Sequence, residues 1–274
     1  MKADFHMHTT HSDGIKTQEE IFEMAQKASM DYISITDHDT CLEVDKSMEY
    51  SKKYGVKFIP GIELSTLEQG KPVHVLGYFR DESYKNEEML GYYKMIKTGR
   101  EERTRKFVKN LKEHFDINIT YEDVFSFSNG IIARPHIAKA IVKNYPEYTF
   151  DYIFENFIGD QSVAFVPSTE LSVVEGIDLL RRNNCVVVLA HPTLLKESIK
   201  DKVLSYDYDG FEAVYFRNKE NDENTFTLLA ESRNMITTGG SDYHGIKNDS
   251  KHGVVGGVFI DGERLEKFLN LYNK

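Results

Sequence analysis

Side chains that bind metals gather at a few points of this chain. The N-terminus reads FHMHTTHSDG and carries His6, His8, His11 and Asp13 in one short stretch. Side chains two apart on a strand face the same way, so His6 and His8 can chelate one ion. Alone, the pair is equally compatible with two ordinary polar residues. Asp13 precedes Gly14 and by itself is turn chemistry, and His11 is either a further ligand or an exposed residue. ITDHD ends an apolar run with Asp37, His38 and Asp39. Of the three, His38 is the preferred ligand, with Asp37 or Asp39 orienting it or a neighbour from behind. Glu63 is the one carboxylate in PGIELS. An unpaired buried charge is expensive, so Glu63 belongs either between cations, as a bridge, or in a salt bridge. His74, flanked by valines in VHVLGY, reads on its own as a hydrogen-bonded core histidine. His191 closes VVVLAHP, and Asp242 and His244 lie in GGSDYHG, whose glycines let the backbone turn both side chains into a pocket.

The conjunction says more than any member. Separate strand ends each carry His or a carboxylate, and cations would make that concentration physically sensible. Mixed His/Asp/Glu ligation without thiolates suits Zn, Mn or Fe. In β/α barrels the downstream ends of the strands are where active sites are built.

The elements that must position these residues follow from periodicity. KADFHMH alternates as a strand. TQEEIFEMAQKAS is an amphipathic helix with Thr17 and Glu20 in capping-box positions. YISITD is a strand, CLEVDKSMEYSKKY a helix stopping at Gly55, and VKFIPGIELS and KPVHVLGYF are strands about a turn at Gln69-Gly70. From about Glu82 the pattern is helical, and residues 83–165 read as an inserted helical subdomain. Beyond it, strand and helix alternate again: LSVVEGIDLLRRNN (helix), VVVLAHP and FEAVYF (strands), NTFTLLAESRN (helix), MITTGGSDYHG (strand into loop), VVGGVFI (late strand) and GERLEKFLNLY (helix). Alternation on both sides of an insertion favours a parallel α/β architecture, with residues 1–82 and 166–274 forming one domain.

At 274 residues with 40% hydrophobic and 28% charged side chains, the chain can bury a substantial core. No run approaches the roughly 18 apolar residues of a membrane span. The absence of a secretory pattern and the two distant cysteines, Cys41 and Cys185, point to a reducing cytoplasm. A net charge of −10 argues against gripping long duplex nucleic acid, while a mononucleotide or short oligonucleotide stays open.

FHMHTTHSDG, ITDHDT, PGIELS, VHVLGY, LAHP and GGSDYHG, in that order along almost the whole chain, resemble the PHP family, the polymerase and histidinol phosphatase superfamily of metal-dependent phosphoesterases. GIIARPHIAKAIV, in the insertion, is similar to the stand-alone branch of nucleoside 3′,5′-bisphosphate phosphatases and 5′-to-3′ exoribonucleases. The resemblance implies a distorted (β/α)7 TIM-like barrel holding two or three divalent ions, with residues 83–165 capping the substrate. Carried over by position, His6, His8, Glu63 and Asp242 hold the first ion. Glu63, as a bridge, His74 and His191 hold the second. Asp13, His38 and His244 hold the third, and Arg134 and His136 face the substrate phosphate. The branch usually has basic residues before the strand written here as AFVP; this chain has NFIGDQSVAFVP, with Asp160 and no Arg or Lys, so a second phosphate contact is missing or supplied from elsewhere.

What this implies is hydrolysis of phosphate monoesters or diesters of nucleotides, with a metal-bridging hydroxide as nucleophile and Arg134 and the third ion holding phosphoryl oxygens. Arg134-Pro135 is also a natural helix start, with proline in the first turn. GREERTRKFVK reads as a solvated helix face of mixed charge. Three other readings compete: a histidinol-phosphate or other small-molecule phosphatase, an amidohydrolase-type metallohydrolase, and a non-catalytic metal-binding module. The amidohydrolase pattern expects a bridging lysine, whereas Glu63 and the Asp242-x-His244 pair fit PHP.

Overall fold

A computed structural model describes residues 1–128, 132–167, 170–247 and 250–274; Gly130 and Ile131 of the GIIARPHIAKAIV segment lie outside them. Among the described residues the strands are β1 (Lys2–Asp4), β2 (Tyr32–Ile35), β3 (Lys57–Glu68), β4 (Lys71–Phe79), β5 (Leu171–Ser172), β6 (Cys185–Leu189), β7 (Gly210–Tyr215), β8 (Ile236–Gly240) and β9 (Ile260–Asp261). The helices are α1 (Gln18–Lys27), α2 (Val44–Tyr54), α3 (Glu87–Phe115), α4 (Tyr121–Phe125), α5 (Arg134–Asn144), α6 (Phe150–Ile153), α7 (Val173–Arg182), α8 (Glu197–Leu204), α9 (Asp222–Ser232) and α10 (Gly262–Tyr272). Thr17 and Glu20 cap α1 reciprocally, as their spacing predicts.

The strands form one sheet in the order β8-β7-β6-β4-β3-β2-β1-β9, with β5 beside β3. Beyond their ends, β1 and β8 meet: Phe5 N donates to Gly239 O, Asp242 N to His6 O and His8 N to Tyr243 O, at 3.2, 2.8 and 2.9 Å. The sheet is therefore a nearly closed barrel of α/β type. One strand departs from the parallel pattern expected. β4 runs antiparallel to both β3 and β6. The reason is local. Gln69 and Gly70, at φ 48° and 73°, make a two-residue turn, which joins antiparallel neighbours, whereas a parallel neighbour needs a long crossover. A second departure lies near the C-terminus. Of VVGGVFI only Ile260 joins a strand, β9, antiparallel to β1. The remainder turns at Gly256, whose N–H goes to the buried Asp4 carboxylate rather than to a neighbouring strand.

The chain divides into two compact units. The first comprises Met1–Thr10, Gly14–Leu90 and Glu170–Lys274. Its core packs Phe268 of α10 against Phe5, tilted, and Tyr78, edge to face, with ring centroids 4.4 and 5.2 Å apart. A second cluster sets Ile21, Phe22 and Ala25 of α1 against Met7, Ile33 and Ile35. Each fully buried large side chain contributes about 1.5–3 kcal/mol, which fixes the strand bearing His6 and His8 against its neighbours. The second unit comprises His11–Asp13 and Gly91–Thr169. It has its own core, with Phe107 and Leu111 of α3 against Ile137 and Ile141 of α5 and Phe157. Among the described residues no helix is long and apolar enough to cross a membrane.

Candidate metal centre

The first unit brings eight of the expected ligands together: His6, His8, His38, Glu63, His74, His191, Asp242 and His244. His6 and His8 extend β1, and both are fully buried. Met7 between them is held by Thr36, which accepts from Met7 N and donates its own N–H to Met7 O. Gly240 lies so close to His6 that a Cβ there would meet the His6 Cβ at 2.4 Å, so only glycine lets the β8 end pass. His38 follows β2, and its partner across the sheet is Glu63, inside β3. His74 lies near the start of β4, opposite Ser65. Because β4 is reversed, its upstream end falls beside the downstream part of β3, and His74 joins the cluster by that route. His191 and Asp242, just past β6 and β8, hold φ at 26° and 52°. Such backbone is costly and tends to persist where a site requires it.

Glu63 lies at the centre. Its Oε1 is 2.9 Å from His74 Nδ1 and 3.1 Å from His191 Nε2. Its Oε2 is 3.4, 3.2 and 3.1 Å from His6 Nε2, His8 Nε2 and His38 Nδ1. The two oxygens of one buried carboxylate thus face two different groups of imidazoles. Asp242 Oδ1 stands 3.4 and 3.2 Å from the same His6 and His8 nitrogens.

The electrostatics favour positive charge here. Burial opposes ionisation of Glu63, yet His38, His74 and His6 outweigh it and hold the carboxyl well below the usual range. Asp242 is likewise buried, and His6, His8 and His244 outweigh that burial and lower its pKa. Burial works against a charged His6, but Glu212, Glu63 and Asp242 raise its pKa well above the histidine norm. His6 Nδ1 donates to Glu212 Oε1 at 2.9 Å. With one proton held on Nδ1, His6 Nε2 would present a lone pair once a metal cation took the place of its own proton, and this buried atom takes part in no hydrogen bond while facing two carboxylates. Lone pairs of nitrogen and oxygen converging on one another need a cation between them, so the donor set fits divalent metals.

Asp37 accepts the main-chain N–H and the hydroxyl of Thr9 at 2.7 and 2.6 Å, fastening the segment after His8. Asp39 accepts from Ser65 N at 2.8 Å, two residues beyond Glu63. Asp13 falls in the second unit, together with His11 and Ser12.

Arg134 and His136 open α5, in the second unit. Arg134 Nη1 pairs with Asp160 Oδ1 at 2.7 Å, both side chains being partly exposed. His136 is buried, and its Nδ1 accepts the N–H of Ala133 at 3.0 Å. Burial, reinforced by Lys139 and Arg100 and opposed by Asp13, lowers its pKa to about 4. A neutral imidazole that accepts at Nδ1 carries its proton on Nε2. His136 can therefore donate through Nε2 and cannot take a proton there. The GREERTRKFVK face is not simply solvated. Arg103 Nε donates to Val166 O at 2.8 Å and its guanidinium lies over Phe107 and Phe165, while Arg100 Nη1 donates to Ile132 O at 3.4 Å.

Sequence reasoning passed over Glu212, which accepts from both the His6 ring and the His191 N–H, the latter at 2.8 Å. The signal was present: FEAVYF carries one carboxylate in an apolar run, as PGIELS does. It also passed over Tyr215, whose hydroxyl donates to Asp242 Oδ2 at 2.9 Å, and His252.

The chain is similar to the 5′-3′ exoribonuclease Rnm of Salmonella typhimurium, 26% identical over 250 residues that span 88% of this chain and 84% of that one. It is similar to the 3′,5′-nucleoside bisphosphate phosphatase of Chromobacterium violaceum, 23% identical and covering 88% of this chain and 86% of that one. A solved structure from Bifidobacterium adolescentis, described as a candidate metal-dependent phosphoesterase, superposes with a TM-score of 0.83 at 28% identity, over 98% of this chain and 96% of that one. The PHP domain pattern matches residues 4–156, more than half of the sequence and a span that holds His6, His8, His38, Glu63 and His74, and the chain belongs to the PHP domain family.

Proposed function

We propose that this protein is a metal-dependent phosphoesterase acting on phosphorylated nucleotides, either 3′,5′-bisphosphonucleotides or short oligonucleotides. The observation that carries the reading is the buried Glu63 carboxylate, each oxygen of which faces its own group of imidazoles. The substrate class rests on the similarity to the exoribonuclease and the nucleotide phosphatase.

The proposed donors are His6, His8, Glu63 and Asp242 for one ion, and Glu63, His74 and His191 for a second. A third would take His38, His244 and Asp13. Manganese, zinc and iron all suit this set. Bound divalent cations lower the pKa of water and offset the charge that gathers on phosphoryl oxygens. The protein's part is to hold the donors rigidly. Glu212 fixes the His6 tautomer, and Tyr215 fixes the orientation of Asp242. In this reading Arg134 offers phosphate a charged donor and His136 a neutral one through Nε2. The second unit would then act as the substrate cap.

The test is phosphate release after reconstitution with Mn, Zn or Fe, using 3′,5′-bisphosphonucleosides, short RNA, short DNA and histidinol phosphate. Turnover of the nucleotides is expected. No hydrolysis of any phosphoester with any of the metals would overturn the reading, and preference for histidinol phosphate would overturn its substrate class. Arg134→Ala should raise KM; unchanged KM and kcat would remove Arg134 from the site.

A further inference from the structure

We propose that His252 is an additional donor to the third ion, the one assigned to His244, joining His244 on the side of Asp242 that faces away from His6 and His8. This rests on the metal centre argued above and adds a ligand outside the nine positions of the resemblance. The three side chains form a group whose donor atoms all lie within 4.8 Å of one another. His252 Nε2 is 3.9 Å from Asp242 Oδ2, whereas His6 and His8 face Oδ1. That spacing is too long for a hydrogen bond. Two ligands of one ion with bonds of roughly 2.1 Å can stand up to about 4.2 Å apart, so 3.9 Å is within reach of a shared cation. The His252 ring also stacks on His244, with centroids 3.9 Å apart. His244 Nδ1 donates to its own chain at Asp242 O, 2.8 Å away, which leaves Nε2 as its donor to a metal.

The backbone holds His252 in this place. Gly253 N donates to Ser241 O at 2.7 Å, so the residue before it is set beside Asp242. A Cβ at Gly253 would come within 2.9 Å of that same carbonyl oxygen. Downstream, Gly256 N donates to Asp4 Oδ2, and the other Asp4 oxygen accepts from Ser241 N, both at 2.9 Å. One buried carboxylate thus ties the segment carrying His252 to the segment carrying Asp242. His252 remains half-buried, open enough to exchange with solvent or metal.

The test compares the wild-type protein with His252→Asn and His252→Phe, the second keeping an aromatic ring against His244 without a donor nitrogen. Mn²⁺ and Zn²⁺ affinities are measured by chelator competition, with metal content counted by mass spectrometry. Both variants should bind the weakest-held equivalent at least about tenfold less tightly, the scale on which partners of metal ligands act. Wild-type affinity in both variants would overturn the proposal. So would wild-type affinity in the Phe variant alone, since stacking would then suffice. Diethyl pyrocarbonate labelling of the wild-type protein is a readout free of mutation. His252 should be modified without metal and protected with Zn²⁺, and equal labelling would overturn its role. A wild-type protein that bound no metal would instead overturn the metal centre itself.

Discussion

The cluster around Glu63 and the start of α5 differ in how firmly each is built. Around Glu63, donors from β1, β2, β3, β4, β6 and β8 converge in a buried space, and several are held by a further contact: Glu212 on His6, Tyr215 on Asp242, Thr36 on Met7 between the first two histidines. At α5, Arg134 reaches into partly exposed surroundings and is paired with a single carboxylate, Asp160. Burial makes charge interactions strong and expensive to break, while exposure leaves them weak and adjustable. The difference teaches where this protein should tolerate change: a substitution around Glu63 should cost far more than one at the Arg134–Asp160 pair.

The contrast breaks first at Glu63. Glu63→Gln removes the charge that every neighbouring imidazole faces. Breaking a buried charge pair costs about 3–5 kcal/mol, so metal affinity should fall by roughly 10²–10⁴-fold. Retained metal content and turnover would mean that Glu63 is only a partner of core histidines. Glu212→Gln comes next. It touches no proposed metal donor except through His6 and the His191 backbone, so metal affinity should fall by about 10–100-fold. Chelator competition separates the two variants by size of effect.

How far the sequence reveals this site depends on what kind of signal each residue leaves. Candidate donors stand at the ends of apolar runs, so His6, His8, His38, His191, Asp242 and His244 are legible as a set from residue type and position, while no one of them is decisive by itself. Glu212 carries the same signal as Glu63, but FEAVYF reads as plain strand unless each carboxylate in an apolar run is asked for its partner. His252 follows the final motif and belongs to it only because Gly253 and Asp4 fold the segment back. The β4 direction is legible in Gln69-Gly70, a turn too short for a parallel connection. VVGGVFI misleads because its β-branched residues suit a strand, while a distant carboxylate takes a backbone N–H that a ladder would use. Arg100 and Arg103 mislead for a related reason: mixed charge on a helix looks solvated until carbonyls and rings cover it.

A smaller effect separates the units by pH. His136 has its pKa lowered from 6.5 to about 4 by burial, so the folded chain stays neutral where the unfolded chain takes up a proton. The unfolded state then binds more protons, and stability falls as pH drops below 6.5, with the loss complete near 4. Between pH 7 and pH 5 this amounts to about 2 kcal/mol. His136→Gln keeps an acceptor for the Ala133 N–H, as capping-box glutamine does, and removes the titration. Denaturant unfolding of the metal-free protein at both pH values should therefore show wild type losing about 2 kcal/mol more than the variant. Equal losses would mean that His136 is protonated in the folded chain.

The smallest effect tests the adjustable side of the contrast. Side chains in the Arg134–Asp160 pair are 30% and 49% exposed. Solvent screening leaves such a pair about 0–1 kcal/mol. Asp160→Asn should hardly change stability, yet it frees a guanidinium for phosphate. If Arg134 binds substrate, KM for a nucleotide should fall by no more than about fivefold, with kcat unchanged because no metal donor is touched. Raised salt should shrink the gain, since exposed charges are screened over about 10 Å at 0.1 M. The sign matters more than the size. A lower KM makes Asp160 a competitor of substrate for Arg134, so that the acidic residue weakens phosphate binding by occupying its contact. A higher KM would mean that Asp160 instead holds Arg134 in the position phosphate requires, and the second unit would then be as pre-set as the barrel.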